Sequence, residues 1–234
     1  MEPINLLVTL DEAYLPPLRT MLKSMYMNNP GEEFHVYLIH GGISPEELSG
    51  LGDFCEYHRS RLYPVTVRDD LFADAPVFGH LTKAMYYRLL AHRLLPKGLD
   101  RILYLDPDIL VINSLRELYE TDLTGYLYAA CIHTDVSGLT DRVNKIRLST
   151  YETAGYFNSG VLLMNLEEQR KNIREQDIFQ YVVDHRQELL LPDQDIINGL
   201  YGERIRSLDD SLYNYDAHRY EVYRMASLGE KDVA

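Results

Sequence analysis

The sequence predicts an α/β fold, a mostly parallel sheet with helices on both faces. Three observations lead there. Short apolar runs of strand length recur from the first residues. Longer stretches with helix-start signals separate them, which is the pattern of βαβ units. The 234 residues are 46% hydrophobic and 25% charged, enough to bury a core on two faces of a sheet.

Ile4–Thr9 reads as the first strand. A helix is expected over 12–28, with Pro16 and Pro17 tolerable only in its first turn. Residues 34–39 form a second strand. Ser44-Pro45-Glu46-Glu47 opens the next helix with a hydroxyl cap, a proline at the first position and early acids. A third strand is expected over 61–67, and a longer helix over 82–95 that must stop before Pro96 and Gly98. A short buried strand, Arg101–Leu105, comes next, and strands over 127–132 and 156–165 follow. Helices start at Leu166 and at Asp193. The polar stretch from about Asp135 to Thr153 is the one expected insertion. The whole of 1–234 is expected to be one domain.

In an open α/β sheet, ligands bind outside the carboxyl ends of the strands. That rule singles out Thr9 and Asp11 after the first strand, Asp106 and Asp108 after the fourth, and His133 after the fifth. The fourth strand delivers LYLDPDILV. Residues i and i+2 of an extended segment project to one side, and Pro107 keeps Asp106 out of helical geometry. Two adjacent carboxylates repel unless a cation lies between them, and such oxygen ligands suit Mg²⁺ or Mn²⁺. Asp-Pro-Asp is equally the composition of a plain turn, and a second D-x-D triplet, Asp193-Gln194-Asp195, occurs later.

Charge narrows the partners. The formal net charge is −13 and the pI about 5.0, with no basic cluster, which argues against nucleic acid. An anionic ligand would need local cations, a helix N-terminus or a metal ion. Two cysteines, Cys55 and Cys131, cannot form a disulfide framework. MEPINLLVTLDEAY lacks a basic region before its apolar run, and no segment reaches the roughly 18–20 apolar residues of a membrane span. The expected location is cytoplasmic, with contact at the inner face of a membrane left open.

Five stretches, in this order, resemble glycosyltransferase family 8: LLVTLDEAY, KAMYYRLL, ILYLDPDILV, GYFNSGVLLMNL and LPDQDIINGLY. The family comprises retaining transferases, among them bacterial lipopolysaccharide galactosyl- and glucosyltransferases and, more distantly, glycogenin. The resemblance implies a GT-A fold, with a nucleotide-binding part over about 1–112 and an acceptor-side part over about 113–234. It implies a UDP-hexose donor, a saccharide acceptor of lipopolysaccharide or lipid-linked type, and Mn²⁺ or Mg²⁺ held by Asp106 and Asp108. It assigns Thr9, Asp11 and Tyr14 to uridine, Arg88 to the donor, Asn158 and Ser159 to the transferred sugar, and Asp193 and Gln194 to its reacting face.

Each residue also has a plainer role. Asp11 and Asp193 could cap the helices that follow them. Tyr14 is one of 19 tyrosines and could be a core aromatic, and Arg88 a surface ion-pair partner. Asn158-Ser159-Gly160 has turn composition, although it interrupts an apolar strand. Tyr213, Tyr215, Tyr220 and Tyr223 could stack on sugar rings or simply pack.

One departure stands out. The family commonly carries an H-x-x-G-x-x-K-P-W segment with a third metal ligand, and this sequence reaches Ala234 without it; His218 comes too early. Either the segment lies outside this sequence or the protein has lost it; in the second case a weaker metal site is expected, and the rival reading is a nucleotide-sugar-binding module of little activity. A third reading, an aspartyl-phosphate phosphotransferase, is disfavoured because its acid pair should end the first strand.

Overall fold

The computed structural model describes residues 2–68, 71–77, 83–132 and 155–216. The expected insertion from Asp135 to Thr153, together with His133, His218, Tyr220 and Tyr223, lies outside them.

Among the described residues, seven strands form one sheet: β1 (Ile4–Thr9), β2 (Phe34–His40), β3 (Arg61–Thr66), β4 (Arg101–Leu105), β5 (Tyr128–Cys131), β6 (Val161–Asn165) and β7 (Ile205–Leu208). Their order is β3-β2-β1-β4-β6-β5-β7. The pairings β1–β2, β1–β4, β2–β3 and β5–β7 are parallel; β6 is antiparallel to both its neighbours. The sheet is therefore mostly parallel, as its alternating pattern predicts.

Helices α1 (Leu15–Asn28), α2 (Pro45–Tyr57), α3 (Lys83–Leu89), α4 (Ala91–Leu94), α5 (Arg116–Tyr119), α6 (Leu166–Asn172), α7 (Glu175–His185) and α8 (Pro192–Tyr201) complete the described fold. Ser44 Oγ accepts from Glu47 N, and Pro45 opens α2, as its sequence signals require. The first turn after β1 is a separate 3-10 turn, Glu12–Tyr14, so α1 begins at Leu15 with its prolines in the opening turn. The helix expected over 82–95 is broken at Leu90 (φ −112°, ψ 20°), and Leu95 is extended ahead of Pro96. The strand expected over 156–165 starts only at Val161.

Alternation along the strands sorts the core onto two faces. Leu7, Ile39, Ile102, Tyr104, Leu162 and Met164 share one buried cluster with Leu89 of α3, Ile178 of α7 and Ile196 of α8. Leu6, Val8, Val36, Leu38, Leu103 and Leu163 share the other with Leu18 and Leu22 of α1 and Leu51 of α2. Tyr104 thus points to the face that carries α3 and α8. Asp106, two residues on, follows it.

The α7–α8 contact gives a stability test. A Cβ on Gly199 would lie 1.9 Å from Tyr181 Oη and 2.4 Å from its Cζ, so the tyrosine ring would have to move. Gly199→Ala gains helix propensity but overpacks the contact, a net loss of about 1–2 kcal/mol. Urea denaturation reads this directly; a stabilised variant would contradict the packing.

Candidate active site

Where β4 ends, the antiparallel β6 begins. Leu105 pairs with Val161, and the Asp106 N–H donates to the Gly160 carbonyl at 2.8 Å. Because β6 runs backwards, the turn before it, Asn158-Ser159-Gly160, sits at the carboxyl edge of the parallel strands. This is why a turn-like segment adjoins an apolar strand.

Arg88, in the last turn of α3, ties the site together. Its Nη1 donates to Ser159 O at 2.9 Å and Ser159 Oγ at 3.0 Å. The guanidinium also pairs with Asp193 Oδ2 at 2.9 Å and Asp106 Oδ1 at 3.1 Å. It lies over the Tyr104 ring, 4.2 Å from the centroid. Tyr104 Oη donates to Asp106 Oδ1 at 2.6 Å, and the Thr9 side chain lies beside that hydroxyl. Burial alone would lower the Arg88 pKa, but Tyr104, Asp193, Asp106 and Asp108 together outweigh it and keep the group charged.

α8 supplies the opposite wall. Its N-terminus is fixed by Asp195, a fully buried carboxylate that accepts from Leu190 N at 2.7 Å, Leu191 N at 3.0 Å and Tyr156 Oη at 2.6 Å. Asp193 is thus free of the capping role and pairs with Arg88 instead. Asn198 clamps α8 to the turn, accepting from Phe157 N at 2.7 Å and donating to Phe157 O at 2.8 Å. Ser159 N donates to Gln194 Oε1 at 3.0 Å, while Gln194 Nε2 is buried without a hydrogen-bond partner among the described residues. A buried amide donor left unpaired costs about 1–3 kcal/mol, so it marks a place for an incoming acceptor atom.

Arg88, Asp106, Asp193, Ser159 and Gln194 therefore meet, with Thr9 joined through Tyr104 and Asn158 through the turn. Asp11 and Tyr14 stay on the exposed turn after β1. There Asp11 Oδ1 accepts from Ala13 N at 3.0 Å, the local capping role open to it from sequence. Among the described residues no hydrogen bond joins either to the Arg88 cluster. Tyr104, Asp195, Asn198 and Asn214 were missed by reading the sequence. For Tyr104 a signal existed: it precedes Asp106 by two in an extended strand, so both face one side.

The acid pair fits a divalent ion in three respects. Among the described residues, Asp106, Asp108 and Asp193 all act on Arg88, three carboxylates on one cation. Asp106 Oδ1 is committed to Arg88 and Tyr104, but Oδ2 has no hydrogen bond among the described residues. A Cβ on Gly160 would sit 2.9 Å from that oxygen, so the glycine keeps the space beside it open. Asp108 is exposed, has no hydrogen bond or ion pair among the described residues, and lines a cavity of about 610 Å³ with Leu110, Ile112, Leu212, Tyr213 and Asn214. No group of three or more His, Cys, Asp or Glu side chains placed to hold a metal ion occurs among the described residues. Two carboxylates completed by waters and ligand oxygens are a set that Mg²⁺ or Mn²⁺ accepts.

Burial lifts the Asp106 pKa above its ordinary 3.8, although Arg88 and Tyr104 pull it down. With a raised folded-state pKa, the stability linked to its protonation is present at low pH and lost as pH rises through the folded value. Ionisation therefore costs the fold something, while cation binding requires it. Divalent-ion affinity should therefore fall on acidification sooner than it would for an ordinary aspartate ligand. Calorimetric titration with Mn²⁺ between about pH 4 and 7 tests this; affinity flat across that range would exclude Asp106 as a ligand.

An open, mostly parallel sheet with helices on both faces and an acid pair just past β4 defines the GT-A class of folds. The galactosyltransferase LgtC, solved with donor and acceptor sugar analogs, superimposes with a TM-score of 0.80 at 24% identity, over 99% of this chain and 85% of that one. The chain belongs to glycosyl transferase family 8, whose model matches residues 5–225. Glycosyltransferase GlyF of Streptococcus pneumoniae is 30% identical over 97% of this chain and 52% of its own length. The lipopolysaccharide 1,2-glucosyltransferase of Escherichia coli K12 is 27% identical over 85% of this chain and 58% of its own. The chain thus spans little more than half the length of these two relatives. No described helix is long and apolar enough to cross a membrane.

Proposed function

We propose that this chain transfers a hexose, galactose or glucose, from a UDP-sugar to a saccharide acceptor with retention of configuration, using Mn²⁺ or Mg²⁺ held by Asp106 and Asp108. The observation that carries the reading is the meeting of Arg88, Asp106, Asp193, Ser159 and Gln194 at the carboxyl edge of the parallel strands. Family membership supports the transferase class. Relatives named as lipopolysaccharide glucosyl- and galactosyltransferases support a lipopolysaccharide-type or lipid-linked acceptor.

In glycosyl transfer, positive charge builds at the anomeric carbon and negative charge on the departing diphosphate. The divalent ion would supply Lewis-acid neutralisation of that diphosphate. The remaining work falls to the chain. Arg88 adds fixed positive charge beside the same groups and needs no reorganisation as the reaction proceeds. Asp193, pinned at 2.9 Å by Arg88, is suited to hold donor hydroxyls rather than to attack carbon. Gln194 is a neutral amide whose carbonyl is already bound by Ser159 N, so it presents N–H to an incoming oxygen. That favours front-face transfer: the acceptor oxygen bonds to the anomeric carbon as its bond to the UDP oxygen breaks on the same side. The acceptor proton passes to a leaving phosphate oxygen.

The test is hydrolysis and transfer with UDP-galactose and UDP-glucose, with Mn²⁺ or with EDTA. Turnover that persists unchanged in EDTA would sink the metal role. Binding of UDP-hexose without turnover would favour the rival, a nucleotide-sugar-binding module. That reading draws on the commitment of one Asp106 oxygen to Arg88 and on the lack of a third described ligand.

A further inference from the structure

Asn158 makes two short hydrogen bonds through one atom. Gly160 N donates to its Oδ1 at 2.7 Å, and Asn214 Nδ2 donates to the same oxygen at 2.7 Å. A backbone N–H can only donate, so the atom facing Gly160 must be the carbonyl oxygen. The Asn158 amino group is thereby turned the other way. Among the described residues nothing accepts from it. The carbonyl side of the carboxamide adjoins Gly160, as the Asp106 carboxylate does: a Cβ on Gly160 would lie 3.1 Å from Asn158 Oδ1 and 2.9 Å from Asp106 Oδ2.

Asn214 lies 56 residues along the chain, on the segment after β7, and lines the cavity beside Asp108. Its backbone is left-handed, φ 64°, a conformation that asparagine adopts more readily than most side chains. That conformation and the side-chain amide are separable requirements. Glycine satisfies the first without the second. Aspartate nearly keeps shape and backbone but replaces the donor with an acceptor.

We infer that Asn214 is a positioning residue: it locks the Asn158 carboxamide so that N–H, never C=O, faces the transferred sugar. The inference rests on the UDP-hexose reading above. It deepens that reading by predicting that the site recognises an acceptor oxygen of the sugar at Asn158.

The experiment compares UDP and UDP-hexose binding by calorimetry, with donor KM and kcat, in Asn214→Gly, Asn214→Asp and wild type. Asn214→Gly should weaken UDP-hexose roughly threefold and Asn214→Asp roughly tenfold, the range for losing and for reversing one neutral hydrogen bond. Binding of UDP alone should be unchanged in Asn214→Gly, which adds no charge beside Asp108. In an Asn158→Ala background, Asn214→Gly should cost nothing further, because the two act through one group. Equal behaviour of the Gly and Asp variants, or equal loss for UDP and UDP-hexose in Asn214→Gly, overturns the positioning role while the transferase reading stands. Wild-type protein that binds neither UDP nor UDP-hexose overturns both.

Discussion

Asp108→Ala should reduce metal-dependent turnover of UDP-hexose about a thousandfold, the scale for removing a fixed electrostatic partner of the developing charge. Its melting temperature should not change, because Asp108 is exposed and makes no hydrogen bond or ion pair among the described residues. Asp106→Ala should match it in activity but not in stability. Asp106 is bound by Arg88 and Tyr104, so its loss strands part of a buried guanidinium and a phenol. Turnover by both variants, together with thermal unfolding, separates the two roles. Equal stability losses would mean that Asp108 holds Arg88 as directly as Asp106 does. Retained activity in Asp108→Ala would remove the acid pair from the mechanism.

Arg88→Met is the second large effect. The methionine keeps apolar bulk over Tyr104 but leaves Asp106 and Asp193 facing one another without a cation. Breaking a buried pair by deleting one partner costs about 3–5 kcal/mol, and the lower end applies because both carboxylates keep some water. Asp106 should then protonate at higher pH still, since the charge that pulls its pKa down is gone. Bound Mn²⁺ should restore part of the lost stability by supplying positive charge to the same acids. Denaturation midpoints with and without Mn²⁺ measure this. A variant as stable as wild type, and no more responsive to Mn²⁺, would show that Arg88 does not balance those carboxylates.

Much of this was legible in the chain. The strand Ile4–Thr9, the Ser44-Pro45 helix start and the short strand before Asp-Pro-Asp follow from local rules, namely period, proline placement and capping. The acid pair was legible because the carboxyl end of a parallel strand is a special place whatever surrounds it. The break of the 82–95 helix at Leu90 and the late start of β6 at Val161 were not, because local propensity yields there to packing and to the turn that meets Asp106.

By itself the sequence determined the class of fold, and it pointed to the edge and the acid pair proposed to hold a cation there, because those depend on neighbours within a few residues. Which atoms of those residues are free was decided only in three dimensions. The reversed direction of β6 sets Gly160 against Asp106, Arg88 takes one oxygen of that aspartate and leaves the other, and Asn214 reaches Asn158 across 56 residues. Contacts at such separations come from sheet order and helix placement, which no local pattern of residues specifies.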